Sequence, residues 1–192
     1  MSATIQAKER IILGIDPGTT IMGFGIIRVQ DKKMALVELG ILKLAKIEDP
    51  YSKLKTIFEK MILLIEQHHP DELAIEAPFY GKNVQSMLKL GRAQGVAISA
   101  ALSRQIPITE YYPKKIKQSV TGNGNASKEQ VAAMLDTLLN CSLAAEKLDA
   151  TDALAAAVCH FFQTGNKTAG SSGKKGWKGF LSDNPGKFIS GT

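Results

Sequence analysis

Apolar residues in this chain follow two rhythms, and the change from one to the other lays out a fold. Ile11-Ile12-Leu13-Gly14-Ile15 closes on Asp16 and the turn signal Pro17-Gly18, which predicts a buried strand over 11–16. Residues 23–29 and 34–44 read as two more strands around the polar turn 30–33, so the first three form a meander. From Pro50 the spacing lengthens to that of a helix. Leu54, Ile57, Phe58, Met61, Leu64 and Ile65 share one stripe, and His68-His69-Pro70 stops it. The short apolar run 72–76 predicts a fourth strand, ended by Pro78. Asn83 is placed to cap a long helix to Arg104, whose Gly91, Ala93, Gly95, Ala97, Ala100 and Ala101 permit close packing. A fifth strand over 106–110 precedes a helix over 113–120, a Gly/Asn loop to 126, and helices over 127–139 and 150–162. Strands first and strand–helix alternation afterwards predict an α/β domain, a five-stranded mixed sheet flanked by helices.

Composition narrows the class. A chain of 192 residues with 44% hydrophobic content suits one domain, placed at 10–162, with an extension at 1–9 and a tail at 163–192. The tail is rich in Gly, Ser and Lys and is expected to be disordered, although Trp177, Phe180 and Leu181 offer docking groups. No apolar run is long enough to span a membrane, and the N-terminal residues lack a signal-peptide core, so a cytoplasmic location is expected. Cys141 and Cys159 have no metal-type spacing and read as reduced thiols. The formal charge of +6 favours a nucleic-acid partner without requiring one.

Four acidic residues carry the chemistry. Asp16 ends the first strand, Glu76 ends the fourth, and Asp149 and Asp152 stand three apart in L-D-A-T-D-A-L-A. Asp before Pro-Gly is equally a turn former. A carboxylate directly after Leu73-Ala74-Ile75 has a weaker structural reading, because an unpaired charge at the end of a central strand is costly. Asp149 and Asp152 suit a helix N-terminus, yet a three-residue step also leaves them only about 60° apart on one face. Ala153 and Ala156 near that face let the helix approach the sheet, while Leu154, Val158 and Phe161 turn to the core. Such a carboxylate set can hold hard divalent cations that keep sites for a phosphate substrate.

In combination these motifs resemble a known family, the RuvC-type Holliday-junction resolvases of the RNase H-like superfamily. The resemblance runs over I-L-G-I-D-P-G (12–18), G-F-G-I-I (23–27), A-I-E (74–76), M-L-K-L-G-R-A-Q-G-V-A (87–97), I-K-Q (116–118) and D-A-T-D-A-L-A (149–155). It implies an RNase H-like fold and Mg²⁺-dependent paired nicking of opposing strands in four-way junction DNA. Asp16, Glu76, Asp149 and Asp152 would hold two Mg²⁺ per subunit, with Mn²⁺ able to substitute. The resemblance also assigns Phe79 to base stacking, with Tyr80 as a neighbour, and Lys117 and Lys128 to DNA phosphates. Lys82, Lys89, Arg92, Lys114 and Lys115 are further DNA-contact candidates, each equally readable as a solvated surface cation. A homodimer built on the helix from Asn83, a RuvA–RuvB branch-migration partner and a bacterial, nucleoid-associated location are likewise implied. The G-I-D-P-G-T-T run also matches the phosphate loop of actin- and Hsp70-like ATPases, but those need two such domains. A YqgF-type RNA nuclease and a non-catalytic junction binder are the other readings.

Overall fold

The computed structural model describes residues 9–78, 83–143 and 148–165. Its sheet has five strands in the order β3-β2-β1-β4-β5, namely β1 (Arg10–Asp16), β2 (Ile21–Gln30), β3 (Lys33–Lys43), β4 (Glu72–Glu76) and β5 (Ile108–Tyr111). The meander β1–β2–β3 is antiparallel, and β1 pairs β4, then β4 pairs β5, in parallel. This is the mixed sheet expected. The β2–β3 turn is tight because Asp31 and Lys32 both take positive φ, at 50° and 65°.

Among the described residues five helices cover the sheet: α1 (Pro50–His68), α2 (Val84–Leu102), α3 (Pro113–Thr121), α4 (Lys128–Leu139) and α5 (Leu148–Thr164). Leu13, Ile15, Leu73 and Ile75 face α1 and α2, and Ile12 and Ala74 face α3, α4 and α5. Strand alternation then puts Gly14, Asp16, Glu72 and Glu76 on the α5 side as well. α5 is buried along nearly its whole length, lying between the sheet and α3 and α4. Its approach is close enough to require glycine beneath it. A Cβ on Gly14 would lie 2.1 Å from the Ala153 carbonyl oxygen, and one on Gly25 would lie 2.7 Å from Leu154 Cα.

Several boundaries and faces differ from expectation. Phe58 is 40% exposed and lies off the buried stripe of Ile57, Met61, Leu64 and Ile65; its position directly after Ile57 turns it outward by one helical step. The fifth strand starts at Ile108, because Gln105 takes φ 58° and Ile106 N–H still bonds the Ala101 carbonyl of the preceding helix end. The long helix stops at Leu102, and the last one runs on to Thr164. α5 meets the sheet glycines Gly14 and Gly25 through Ala153, Leu154 and Ala157, with Ala156 buried beside them. Cys141 and Cys159 are free thiols, as read. The N-terminal extension to residue 8 and the tail from 166 lie outside the described residues.

Candidate active site

Parallel pairing of β1 with β4 brings Ile15 opposite Ile75, so the next residues, Asp16 and Glu76, end adjacent strands on the same face. Across from them stands the first turn of α5, with Asp149 exposed and Asp152 largely covered. The carboxyl ends of parallel strands are where open α/β sheets bind ligands. Two clefts meet here and share Asp16. One, of about 320 Å³, is lined by Asp16, Glu76, Lys117, Lys128 and Asp152, with Pro113 and Ile116 on its wall. The other, of about 290 Å³, runs between Asp149, Leu90 and the turn Gly18-Thr19-Thr20.

Burial and mutual repulsion shape the electrostatics. Burial first, then the charges of Asp152 and Asp149, push the Asp16 carboxyl up to about 7, against the opposing pull of Lys128. Burial, Asp16 and Asp152 push Glu76 up to about 8, against Lys128 and Lys117. Lys128 Nζ lies 2.6 Å from Asp152 Oδ2 and 3.9 Å from Asp149 Oδ1. Lys117 Nζ donates to the Ala126 carbonyl at 2.8 Å. Both lysines assigned to DNA thus sit among the acids. Lys89 and Arg92 are exposed on α2 to either side of Leu90, and Lys114 and Lys115 are exposed on α3. Phe79, Tyr80 and Lys82 lie outside the described residues.

Among the described residues no three Asp, Glu, His or Cys side chains converge tightly enough to hold a metal as they stand. Asp16, Glu76 and Asp152 line one cleft, Asp149 lines the adjoining one, and all feel one another's charge, but Asp149 and Asp152 are turned to Lys128 rather than to a common point. The donor set nevertheless fits a hard divalent cation: all oxygen, and short of positive charge at Asp16 and Glu76.

A second cluster escaped the sequence reading. His160 Nε2 lies 2.9 Å from Glu72 Oε2, Arg10 Nη1 lies 3.2 Å from the same oxygen, and the Tyr111 hydroxyl lies 2.8 Å from His160 Nδ1. With Nε2 donating to the carboxylate, Nδ1 accepts from Tyr111. This chain ties the far end of α5 to β4 and β5, and so fixes the axial position of Asp152 relative to Glu76. Glu72 was visible only as an alternate residue on the strand that carries Glu76. The turn residues Thr19 and Thr20 did have a signal, the G-T-T run that prompted the ATPase reading.

A mixed five-stranded sheet with acids at the ends of its first and fourth strands and on its closing helix defines an RNase H-like protein. Residues 12–160 match the family described as crossover junction endodeoxyribonuclease RuvC, and the chain belongs to that family. It is 62% identical over 185 residues to the RuvC endodeoxyribonuclease of Christiangramia forsetii, covering 96% of each chain. Identity to that of Cytophaga hutchinsonii is 59% over 179 residues, covering 93% of this chain and 88% of the relative. In three dimensions it is similar to T. thermophilus RuvC in complex with Holliday junction substrate, with a TM-score of 0.75, 29% identity, and coverage of 81% and 94%. The yeast mitochondrial resolvase Ydc2 shares the fold at a TM-score of 0.59 and 17% identity.

Proposed function

We propose that this chain resolves four-way DNA junctions by hydrolysing one phosphodiester in each of two opposing strands, with Asp16, Glu76, Asp149 and Asp152 holding the divalent cations the reaction needs. The observation that carries this is the placement of Asp16 and Glu76, under-neutralised at the carboxyl ends of two parallel strands, in one cleft with Asp152 and walled by Lys117 and Lys128. Cations bound there, Mg²⁺ first and Mn²⁺ as substitute, supply activation of water and stabilisation of charge on the leaving 3′ oxygen. Asp16 and Glu76 are fixed by strand backbone and define the floor of the site. Asp149 and Asp152 close it from α5. Lys117, anchored on Ala126, supplies fixed positive charge toward an incoming phosphate. Pro113 and Ile116 give the cleft an apolar wall that limits water.

Two opposing nicks need two sites related by a two-fold axis, which makes a homodimer part of the proposal. Support comes from α2. Its Ala93, Ala97, Ala100 and Ala101 are buried in its own subunit, whereas Cβ atoms built on Gly91 and Gly95 meet nothing within 4 Å. Val84 and Leu88 stand exposed near them. The family resemblance adds a RuvA–RuvB branch-migration complex as partner and work at the nucleoid. Among the described residues no helix is long and apolar enough to cross a membrane.

The test is incubation of a synthetic mobile four-way junction with the protein and Mg²⁺, mapping nicks on every strand. Paired nicks at symmetric positions, lost on chelation and in Asp152→Asn, are the expected result. Junction binding without cleavage in Mg²⁺ or Mn²⁺ refutes the nuclease reading and leaves a junction-binding protein.

A further inference from the structure

Lys128 stands at an unfavourable place for a cation. It is the first residue of α4, where the helix dipole disfavours positive charge. The local sequence does not need a lysine there, because Ser127 and Gln130 already form a reciprocal cap. Its ammonium instead crosses to another helix and bridges the two acids of α5, at 2.6 Å from Asp152 and 3.9 Å from Asp149. Lys117, by contrast, is held by a backbone carbonyl and contacts no carboxylate at salt-bridge distance among the described residues. The two lysines of the cleft therefore do different things.

The contact is also built to be broken. The cap fixes the backbone of Lys128, while its side chain is 49% exposed and that of Asp149 is 54% exposed. Rotation about side-chain bonds alone withdraws the ammonium. A divalent cation needs the same carboxylate oxygens, and an ammonium beside it would repel it. We infer that Lys128 is an internal counter-ion, which competes with the divalent cation for Asp149 and Asp152 and passes to a DNA phosphate when the cation takes its place. The inference rests on the proposed cation role of the four acids. It makes one side chain serve two partners in turn, carboxylates before loading and phosphate after it. Reciprocity follows: a phosphate that draws Lys128 outward strengthens cation binding, and the cation strengthens phosphate binding.

The experiment is titration of the full-length, DNA-free protein with Mg²⁺ by calorimetry, for wild type, Lys128→Met and Lys128→Arg. Removal of the competing charge should tighten Mg²⁺ binding in Lys128→Met by on the order of tenfold, with Lys128→Arg close to wild type. Equal or weaker binding in a folded Lys128→Met, with wild type binding normally, overturns the inference alone. No binding in either protein overturns the cation role of the acids, and the inference falls with it. A second measurement needs no variant at all. The ¹³Cε and ¹⁵Nζ resonances of Lys128 in the wild type should shift and sharpen as Mg²⁺ is added, and resonances unmoved at saturation overturn the exchange.

Discussion

At the scale of single residues, the site is a balance of charges, and its protonation follows from that balance. Asp16 and Glu76 have folded pKa values of about 7 and about 8, against ordinary values of 3.8 and 4.5. The folded state therefore holds more protons than the unfolded state between those limits. Stability of the chelator-treated protein should fall as pH rises from about 4 to about 8, by up to about 1.4 kcal/mol per pH unit for each proton retained. Thermal midpoints measured across that range in EDTA check it; a flat or rising profile contradicts it. Mg²⁺ should raise the midpoint more at pH 8 than at pH 5, because protons and cations compete for the same oxygens. Glu76→Gln should flatten the EDTA profile and abolish cleavage while junction binding persists, as gel shift and nick mapping would report. The placement of the four acids was legible in the sequence because strand ends and a three-residue helical step are local properties. The partners of the lysines were not. Lys128 lies some twenty residues before Asp149, and only the packing of α4 on α5 brings them together.

At the scale of elements, the decisive contact is α5 lying on β1 and β2 with nothing but glycine between. Gly14→Ala would drive a methyl into the Ala153 carbonyl, 2.1 Å away, and Gly25→Ala would do the same to Leu154. Each should destabilise the domain by about 3 kcal/mol or more, read from urea midpoints. Gly91→Ala is the opposite case. Its Cβ enters open space in the middle of α2, so in dilute solution the folded monomer should gain about 1 kcal/mol. A loss instead would place Gly91 against something already present in one subunit. The elements themselves were legible from apolar period, Pro50 and Asn83. The direct contact of α5 backbone with strand backbone was visible only in the small residues of the helix, not in Gly14 and Gly25 beneath it, and Phe58 shows the limit of such reading: its apolar side chain fits a stripe in sequence that it leaves in space.

At the scale of the whole molecule, a dimer through α2 should give a mass near twice 20.7 kDa by sedimentation equilibrium at micromolar concentration. Leu88→Glu, an exposed site, should halve that mass without lowering the monomer's stability, and should uncouple the two nicks of one junction. A wild type that stays monomeric on junction DNA contradicts the paired-site proposal. The order in which the acids occur along the chain has a further consequence during synthesis. Two of them arrive early, on β1 and β4, but the other two come on α5, the last described helix, which also fills the middle of the core. A ribosome that stalls before α5 releases a fragment with half the acids and an uncovered sheet face. Such a fragment lacks half of the proposed cation site and exposes the apolar sheet face that α5 covers, so under the proposed mechanism junction cleavage begins only once α5 has been made and has packed.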